Sequence, residues 1–231
     1  MFAWNLTWLD RHQERVLHMQ NASPDVPEPC LNRRQMAPIR LLIAGVGNLL
    51  RGDDGFGVVL ALRLMENPPQ IAGVTITIIE TGIGGIHLVQ ELLTGYDALV
   101  ILDAVERGGA PGTLYLLEPE RAEPAAWTVE VRRDFFADTH YAEPSRALAL
   151  AEAIGVQPAR VLVVGCQIQV ESVEQFLQEL TPAVTRAVGH IERQLPHLIA
   201  NWLSEHEYVT GQDETVDRDP RHVGDSPVSR T

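Results

Sequence analysis

Residues 39–57 read IRLLIAGVGNLLRGDDGFG, and this stretch indicates the class of fold that the chain adopts. It begins with a continuous run of aliphatic residues as far as Val46, which is typical of a strand covered on both faces. A helical pattern, FGVVLALRLMEN, follows at residues 56–67. A buried strand that turns directly into a helix predicts a parallel α/β sheet. The turn carries two adjacent carboxylates, Asp53 and Asp54.

The rest of the chain repeats this alternation of strand and helix patterns. Only ERGGAPG separates the third apolar run from the fourth, which is too short for a parallel crossover, so we expect that pair to be antiparallel. The sequence therefore predicts an α/β fold with helices on both faces of a mostly parallel five-stranded sheet that includes one antiparallel strand. The predicted strands are residues 39–46, 74–80, 98–105, 112–118 and 160–168, and further helices are predicted at 84–95, at 145–155 and from Pro182, with Thr181 as N-cap.

The length of 231 residues suits one domain with additional terminal segments. We expect residues 1–37 to be a poorly ordered N-terminal extension and residues 38–204 to form the domain. Residues 205–231 are polar and charge-rich, which predicts a disordered C-terminal tail.

The composition bears on partners and location. The formal net charge is −13 and no basic run is present, so nucleic acid is not an expected partner. No apolar run reaches the length of a membrane span, so a membrane is not expected either. Two cysteines occur, Cys30 and Cys166, and they form no CxxC pair, which predicts a reducing, cytoplasmic location.

The glycine-rich turn at residues 45–57 does not match a dinucleotide-binding fingerprint. The third glycine of that fingerprint would fall on Leu50. Aspartates in the first turn of a helix can simply cap it, because they accept hydrogen bonds from unpaired N–H groups. One aspartate suffices for that role, so the pair Asp53 and Asp54 at the carboxyl end of a central strand favours a ligand site.

A third carboxylate, Asp103, follows the buried run ALVIL of the third strand. If this strand is a parallel neighbour of the first, Asp103 emerges at the same sheet edge as Asp54. A carboxylate there is costly to desolvate unless it is hydrogen-bonded to a turn or binds a cation. Two acids at one edge favour the cation.

His140 lies in a loop, within FFADTHYAEPSRALALAEAIG, just before a predicted helix. A histidine in such a loop is often an ordinary surface residue, so its position alone does not distinguish a surface residue from a metal ligand. Two aspartates and a histidine would make a mixed oxygen and nitrogen site, which suits Zn²⁺ or Ni²⁺ better than Mg²⁺ or Ca²⁺.

The chain resembles the maturation endopeptidases of NiFe hydrogenases from about Ile39 to about Leu203. The resemblance implies a three-layer α/β/α sandwich. It also implies an endopeptidase, often classed as aspartic-type, that removes the C-terminal peptide of a NiFe-hydrogenase large-subunit precursor once nickel is installed. The likeness rests on GVGNLLRGDDGFG, ETGIGG (80–85), VILDAV (100–105), THYAEPSRALALA (139–151), VGCQ (164–167) and ELTPAV (179–184).

The same resemblance implies that Asp54, Asp103 and His140 are the metal-binding and catalytic residues. They would sense Ni²⁺ presented by the substrate, and Zn²⁺ is an alternative metal. Asp54 stands where some members have glutamate. The shorter aspartate side chain should still bind a metal. Ile83 stands where many have threonine in the glycine-rich segment linked to substrate recognition, which bears on which hydrogenase is processed.

We also expect supporting roles for several other residues. Gly82, Gly84 and Gly85 would permit close approach of a substrate peptide. Asn48 would hold the turn and contribute to substrate recognition. Asp53 would support the metal-binding residues without binding the metal itself, or it would cap the helix. Two rival functions stay open: a nickel-checking chaperone with the same site and no hydrolysis, and a nucleotide-binding α/β protein.

Overall fold

A computed structural model describes residues 15–17, 37–122, 128, 144–174 and 179–210. Two compact units divide the chain, residues 1–196 and residues 197–231. The sheet and the candidate site belong to the first unit. Of the second unit the structure describes residues 197–210, which are the C-terminal part of the last helix.

The secondary structure follows the predicted alternation closely. A short 3₁₀ helix, Gly52–Gly55, precedes the first α-helix. The strands are β1 (Arg15–Leu17), β2 (Ile39–Val46), β3 (Val74–Gly82), β4 (Ala98–Val105), β5 (Leu114–Leu117) and β6 (Arg160–Gln167). The helices are α1 (Phe56–Glu66), α2 (Gly85–Leu92), α3 (Pro144–Ala153), α4 (Val170–Glu174) and α5 (Pro182–Thr210).

The strands form one mixed sheet in the order β1-β5-β6-β4-β2-β3. The central strand β2 is parallel to both of its neighbours, and Ile43 faces Ile78 of β3 and Val100 of β4. β4 is also parallel to β6, with Asp103 opposite Gly165. The predicted α/β fold with a mostly parallel sheet is therefore confirmed.

The strand predicted to be antiparallel is confirmed in its direction, but its partner differs from the expected one. β5 pairs antiparallel with β6, which lies between β4 and β5 in the sheet. The expectation that β4 and β5 pair directly was wrong. A connection of residues 106–113 is long enough to cross one intervening strand, since neighbouring strands are only about 4.8 Å apart. Loop length therefore indicated the direction of β5 and not its neighbour.

Strand β1 lies within the segment that was expected to be a poorly ordered extension, and it pairs antiparallel with β5. Helix α5 extends to Thr210, past the expected end of the domain at residue 204. Most of both terminal segments falls outside the described residues, so the domain boundaries at residues 37 and 204 stay predictions.

Helices cover both faces of the sheet, as a three-layer sandwich requires. On one face α2 and α3 pack on alternate residues of the central strands, forming a core that includes Leu42, Leu88, Leu99 and Ala147. On the other face α1 packs against β2, where Ala61 approaches Gly45. α5 lies beside α1, because Arg63 and Glu192 form an ion pair at 2.8 Å. Among the described residues, no helix combines the length and the apolar character needed to cross a membrane.

Candidate functional site

The first turn of α1 packs directly against the carboxyl ends of two central strands. A Cβ atom at Gly57 would lie 2.0 Å from the carbonyl oxygen of Leu102 and 2.4 Å from that of Val46. Only a residue without a side chain permits this approach. The close contact holds the Asp54 turn at the same edge as the end of β4.

Asn48 organises the turn that leads to Asp54. Its side-chain oxygen accepts a hydrogen bond from the backbone N–H of Leu50 at 3.0 Å. Its carbonyl oxygen accepts one from the N–H of Arg51, and its own N–H donates to the carbonyl oxygen of Asp54 at 3.1 Å. These bonds fix the backbone on both sides of the turn, so the direction of the Asp54 side chain depends on Asn48.

The Asp54 carboxylate is half-buried and incompletely satisfied. Its Oδ2 atom is buried and has no hydrogen-bond partner among the described residues. Burial raises the pKa of Asp54 above its ordinary value of 3.8, while the nearby Arg51 charge opposes that rise. A buried carboxylate oxygen without a partner is destabilising in a purely structural role, and its lone pairs can bind a cation or a hydrogen-bond donor.

Asp103 lies at the carboxyl end of β4 and is only 7% exposed. Its Oδ1 accepts a hydrogen bond from the N–H of Ala104 at 2.9 Å. The 3₁₀ helix that carries Asp54 contacts β4. The structure thus brings Asp54 and Asp103 to one edge of the sheet, as the sequence predicted.

His140 lies outside the described residues, so its predicted approach to the two aspartates stays a prediction. Within the described residues, no group of three or more histidine, cysteine and acidic side chains could hold a metal ion. The two carboxylates are oxygen donors, and one has a buried oxygen that needs a partner. This donor set fits a divalent metal, and a histidine nitrogen would complete a site of the kind that binds Zn²⁺ or Ni²⁺.

Asp53 is completely buried, and its hydrogen-bond partners lie in distant parts of the chain. Its Oδ1 accepts a hydrogen bond from the N–H of Thr181 at 2.7 Å. Its Oδ2 accepts bonds from the N–H of Gln169 at 2.9 Å and from the Thr181 hydroxyl at 3.0 Å. Its own N–H donates to the Ser172 hydroxyl at 3.3 Å. Asp53 therefore joins the Asp54 turn to the segment after β6 and to the start of α5.

The end of β3, where the glycine-rich segment begins, lies against the end of β2 and the start of the Asp54 turn. The N–H of Gly47 donates to the carbonyl oxygen of Gly82 at 3.0 Å, and the Thr81 hydroxyl donates to the carbonyl oxygen of Gly45 at 3.2 Å. Gly84 and Gly85 follow at the start of α2. Ile83 is 55% exposed and Leu50 is 68% exposed. Gly82 and Gly84 are partly exposed and Gly85 is buried, so the accessible groups of this segment are mainly the apolar side chains and part of the glycine backbone.

Sequence reasoning missed two groups that position the loops at this edge. Thr181 was recognised only as a helix cap, a role it also has, since the N–H of Val184 lies 3.5 Å from its hydroxyl. Gln167 is buried, and its side-chain oxygen accepts bonds from the N–H groups of Arg107 at 2.8 Å and Gly109 at 3.3 Å. A polar residue that ends an otherwise apolar strand was the available signal for Gln167.

Cys166 is buried next to this network and is not suited to act as a nucleophile. Burial raises the pKa of its thiol far above the ordinary value, and the Asp53 charge raises it further. The reactive form of cysteine is the thiolate, so this environment suppresses its reactivity. Cys166 is therefore not a candidate nucleophile at this edge.

Comparison with known proteins identifies related families. The family model described as hydrogenase maturation protease matches residues 58–196, which is more than half of the chain. The match begins after Asp54 and includes Asp103 and position 140.

Several curated proteins are similar to this chain over part of their length. The hydrogenase expression/formation protein HupD of Rhodobacter capsulatus is 33% identical over 149 residues, covering 64% of this chain and 65% of that protein. HoxM of Azotobacter vinelandii, which has the same description, is 34% identical, covering 61% of this chain and 63% of that protein. The chain thus spans less than two thirds of the length of these relatives.

A solved structure with a similar fold is the hydrogenase maturating endopeptidase HybD from Escherichia coli. It is 27% identical with a TM-score of 0.52, covering 68% of this chain and 90% of that one. A solution structure of an endopeptidase from the same organism is 25% identical with a TM-score of 0.50, covering 68% of this chain and 90% of that one.

Proposed function

Since this chain belongs to the hydrogenase maturation protease family, we propose that it is an endopeptidase that removes the C-terminal peptide of a nickel-loaded NiFe-hydrogenase large-subunit precursor. The observation that carries this proposal is the Asp54 carboxylate, which lies at the ligand-binding edge of the sheet with one buried oxygen that has no partner among the described residues. A cation shared with the nearby Asp103 would satisfy that oxygen, because two carboxylates can bind one cation.

Asp54, Asp103 and His140 are the residues that would hold the metal, which in this proposal is the Ni²⁺ of the substrate; Zn²⁺ is the alternative. A metal bound there would polarise the scissile carbonyl and lower the pKa of a nearby water molecule. The chain itself would orient that water through its carboxylates, which accept hydrogen bonds from it. Arg51 partly offsets the effect of burial on the pKa of Asp54, which favours the charged carboxylate.

The substrate segment would lie along the partly exposed end of β3, beside the two aspartates. Of the three glycines expected to admit a peptide, Gly85 is buried, so the approach would be at Gly82 and Gly84, which are partly exposed. Ile83 and Leu50 offer exposed apolar contacts. Asn48 and Asp53 would act indirectly, by fixing the turn that carries Asp54. Sensing of nickel by the aspartates and a cytoplasmic location, which the cysteine pattern favours, are parts of the same proposal.

The test is to incubate the purified chain with nickel-loaded and nickel-free large-subunit precursor and to follow both by mass spectrometry. We expect the nickel-loaded precursor alone to lose the mass of its C-terminal peptide. Asp54→Asn should abolish the loss. Glu66→Gln is the matched control, because Glu66 is an exposed acid at the opposite end of α1. Binding of the loaded precursor without any cleavage would instead support the chaperone.

A further inference from the structure

One face of α5 carries a row of basic side chains around a hollow in the surface. Arg186, His190 and Arg193 are spaced four and three residues apart, so they lie on the same side of the helix. With Gly189 they line a hollow of about 400 Å³. Gly189 has no side chain, which leaves space between the two arginines. We call this feature the arginine hollow.

The two arginines of the hollow differ from the other arginines that the structure describes. Arg63 pairs with Glu192 at 2.8 Å and Arg121 pairs with Glu152 at 2.7 Å. Within the described part of the chain, neither Arg186 nor Arg193 has a hydrogen bond or an ion pair. No acidic residue lies three or four positions from either one along the helix. Their charges are therefore available to an external partner.

This basic surface is unusual in a chain of this composition. The formal net charge is −13, and the sequence contains no lysine, so all 18 basic residues other than histidine are arginine. A general cationic character therefore does not account for the hollow. Guanidinium groups bind carboxylates through paired hydrogen bonds, which makes an acidic partner the complementary one.

We propose that the arginine hollow binds an acidic segment of the substrate protein. Arg186 and Arg193 are seven positions apart, which is about 10.5 Å along a helix. That spacing suits two separate carboxylates on one peptide better than a single small anion. The inference rests on the proposed function only in naming the precursor as the protein that carries this segment.

The position of the hollow along α5 is consistent with a segment close to the cleavage point. Thr181, at the start of the helix, is hydrogen-bonded to Asp53, beside Asp54. Arg186 follows Thr181 by about 7.5 Å and Arg193 by about 18 Å along the helix. An extended peptide advances about 3.3 Å per residue, so roughly two to six residues would span the distance along the helix from Thr181 to the two arginines.

The first test measures peptide binding by the full chain without nickel or cleavage. The probes are a fluorescent peptide of four Glu-Ala-Ala repeats, the same peptide with glutamine for glutamate, and inorganic phosphate as competitor. We expect the double variant Arg186→Gln/Arg193→Gln to bind the glutamate peptide about three- to thirtyfold more weakly, as for two exposed ion pairs. The control Arg63→Gln/Arg121→Gln, which changes the net charge equally, should bind it as the unmodified chain does.

Three outcomes of this test would overturn the proposal. The glutamate and glutamine peptides could bind equally, or the control could lose as much affinity as the double variant. Alternatively, phosphate could displace the glutamate peptide at equal concentration, which would make the hollow a small-anion site.

The second test connects the hollow to the precursor. In the cleavage assay, Arg186→Gln/Arg193→Gln should raise KM by a similar factor and change kcat much less. An unchanged KM would overturn the assignment of the precursor as partner. If the unmodified chain cleaves no precursor, the proposed function fails, and precursor binding measured with the same variants still decides whether the hollow recognises it.

Discussion

The carboxylate of Asp53 accepts hydrogen bonds from both the backbone N–H and the hydroxyl of Thr181, a residue 128 positions later in the chain. Asp53 is completely buried and immediately precedes Asp54. The start of α5 and the turn with the candidate metal-binding residue are thus held by one carboxylate. Of the two adjacent aspartates, the buried one stabilises the fold and the half-buried one is available for chemistry.

Replacing Asp53 by asparagine should therefore lower stability substantially. The amide is neutral and can accept at only one of the two oxygen positions, so at least one buried N–H or O–H group loses its acceptor and the others keep only an uncharged one. We expect the free energy of unfolding to fall by about 2–4 kcal/mol, measured by urea denaturation. Thr181→Val, which removes only the hydroxyl, should have a smaller effect, and Thr181→Ser should be close to the unmodified chain. Equal stability of Asp53→Asn and the unmodified chain would contradict this role.

Replacing Asp54 by asparagine should have the opposite effect on stability. Burial raises the pKa of Asp54, so its charged form is less stable in the folded chain than in the unfolded one. Above the raised pKa the variant should melt about 2–4 °C higher, as expected for relief of about 1 kcal/mol.

The pH dependence provides the check on that prediction. Below the ordinary value of 3.8, Asp54 is protonated in both states, so the advantage of Asp54→Asn should disappear there. The measurement is Tm by differential scanning calorimetry at several pH values. A variant that melts lower than the unmodified chain at neutral pH would show that the Asp54 carboxylate is well satisfied in the fold.

The close approach of Gly57 to the strand ends predicts a severe effect of adding one methyl group. In Gly57→Ala the Cβ would lie 2.0 Å from the carbonyl oxygen of Leu102, and backbone atoms must shift to relieve it. We expect a loss of about 3 kcal/mol or more in the free energy of unfolding. Gly189→Ala is the control, since its Cβ would meet its nearest atom at 3.7 Å and should raise stability by about 0.5–1 kcal/mol. Similar stabilities of the two variants would refute the packing described for α1.

The raised pKa of Cys166 predicts that proteolysis does not depend on a thiol. Cys166→Ala should cleave the precursor within about twofold of the unmodified rate, because the buried thiol is not ionised at neutral pH. Iodoacetamide should leave the rate unchanged as well. A loss of cleavage in the alanine variant that serine at the same position restores would indicate a direct role for residue 166.

The sequence was sufficient to predict the strands that are buried on both faces. The bounds of β2 and β4 agree with their apolar runs, because such strands must be continuously apolar. The neighbour of β5 was not predictable in this way, since strand order depends on packing across the whole sheet. β1 is three residues long, which is too short for a recognisable pattern.

The part of the candidate site that lies at the carboxyl ends of strands was predictable from the sequence. Asp54 and Asp103 follow apolar runs at the carboxyl ends of parallel strands, and the structure places both at that edge. The role of Asp53 depends on Thr181 and on Gln169, which is 116 positions away, and no local pattern encodes such a contact. The lack of acidic neighbours around Arg186 and Arg193 can be read from the sequence, but the hollow that they line became apparent only in the structure.

The proposal that Asp54, Asp103 and His140 act on one metal is tested most directly by a crystal structure of the chain soaked with Ni²⁺, using anomalous diffraction at the nickel edge. We expect one nickel ion bound by carboxylate oxygens of Asp54 and Asp103 and a ring nitrogen of His140, at distances of about 2.0–2.2 Å. Nickel bound only at other residues, or the three side chains placed too far apart to reach one ion, would refute it.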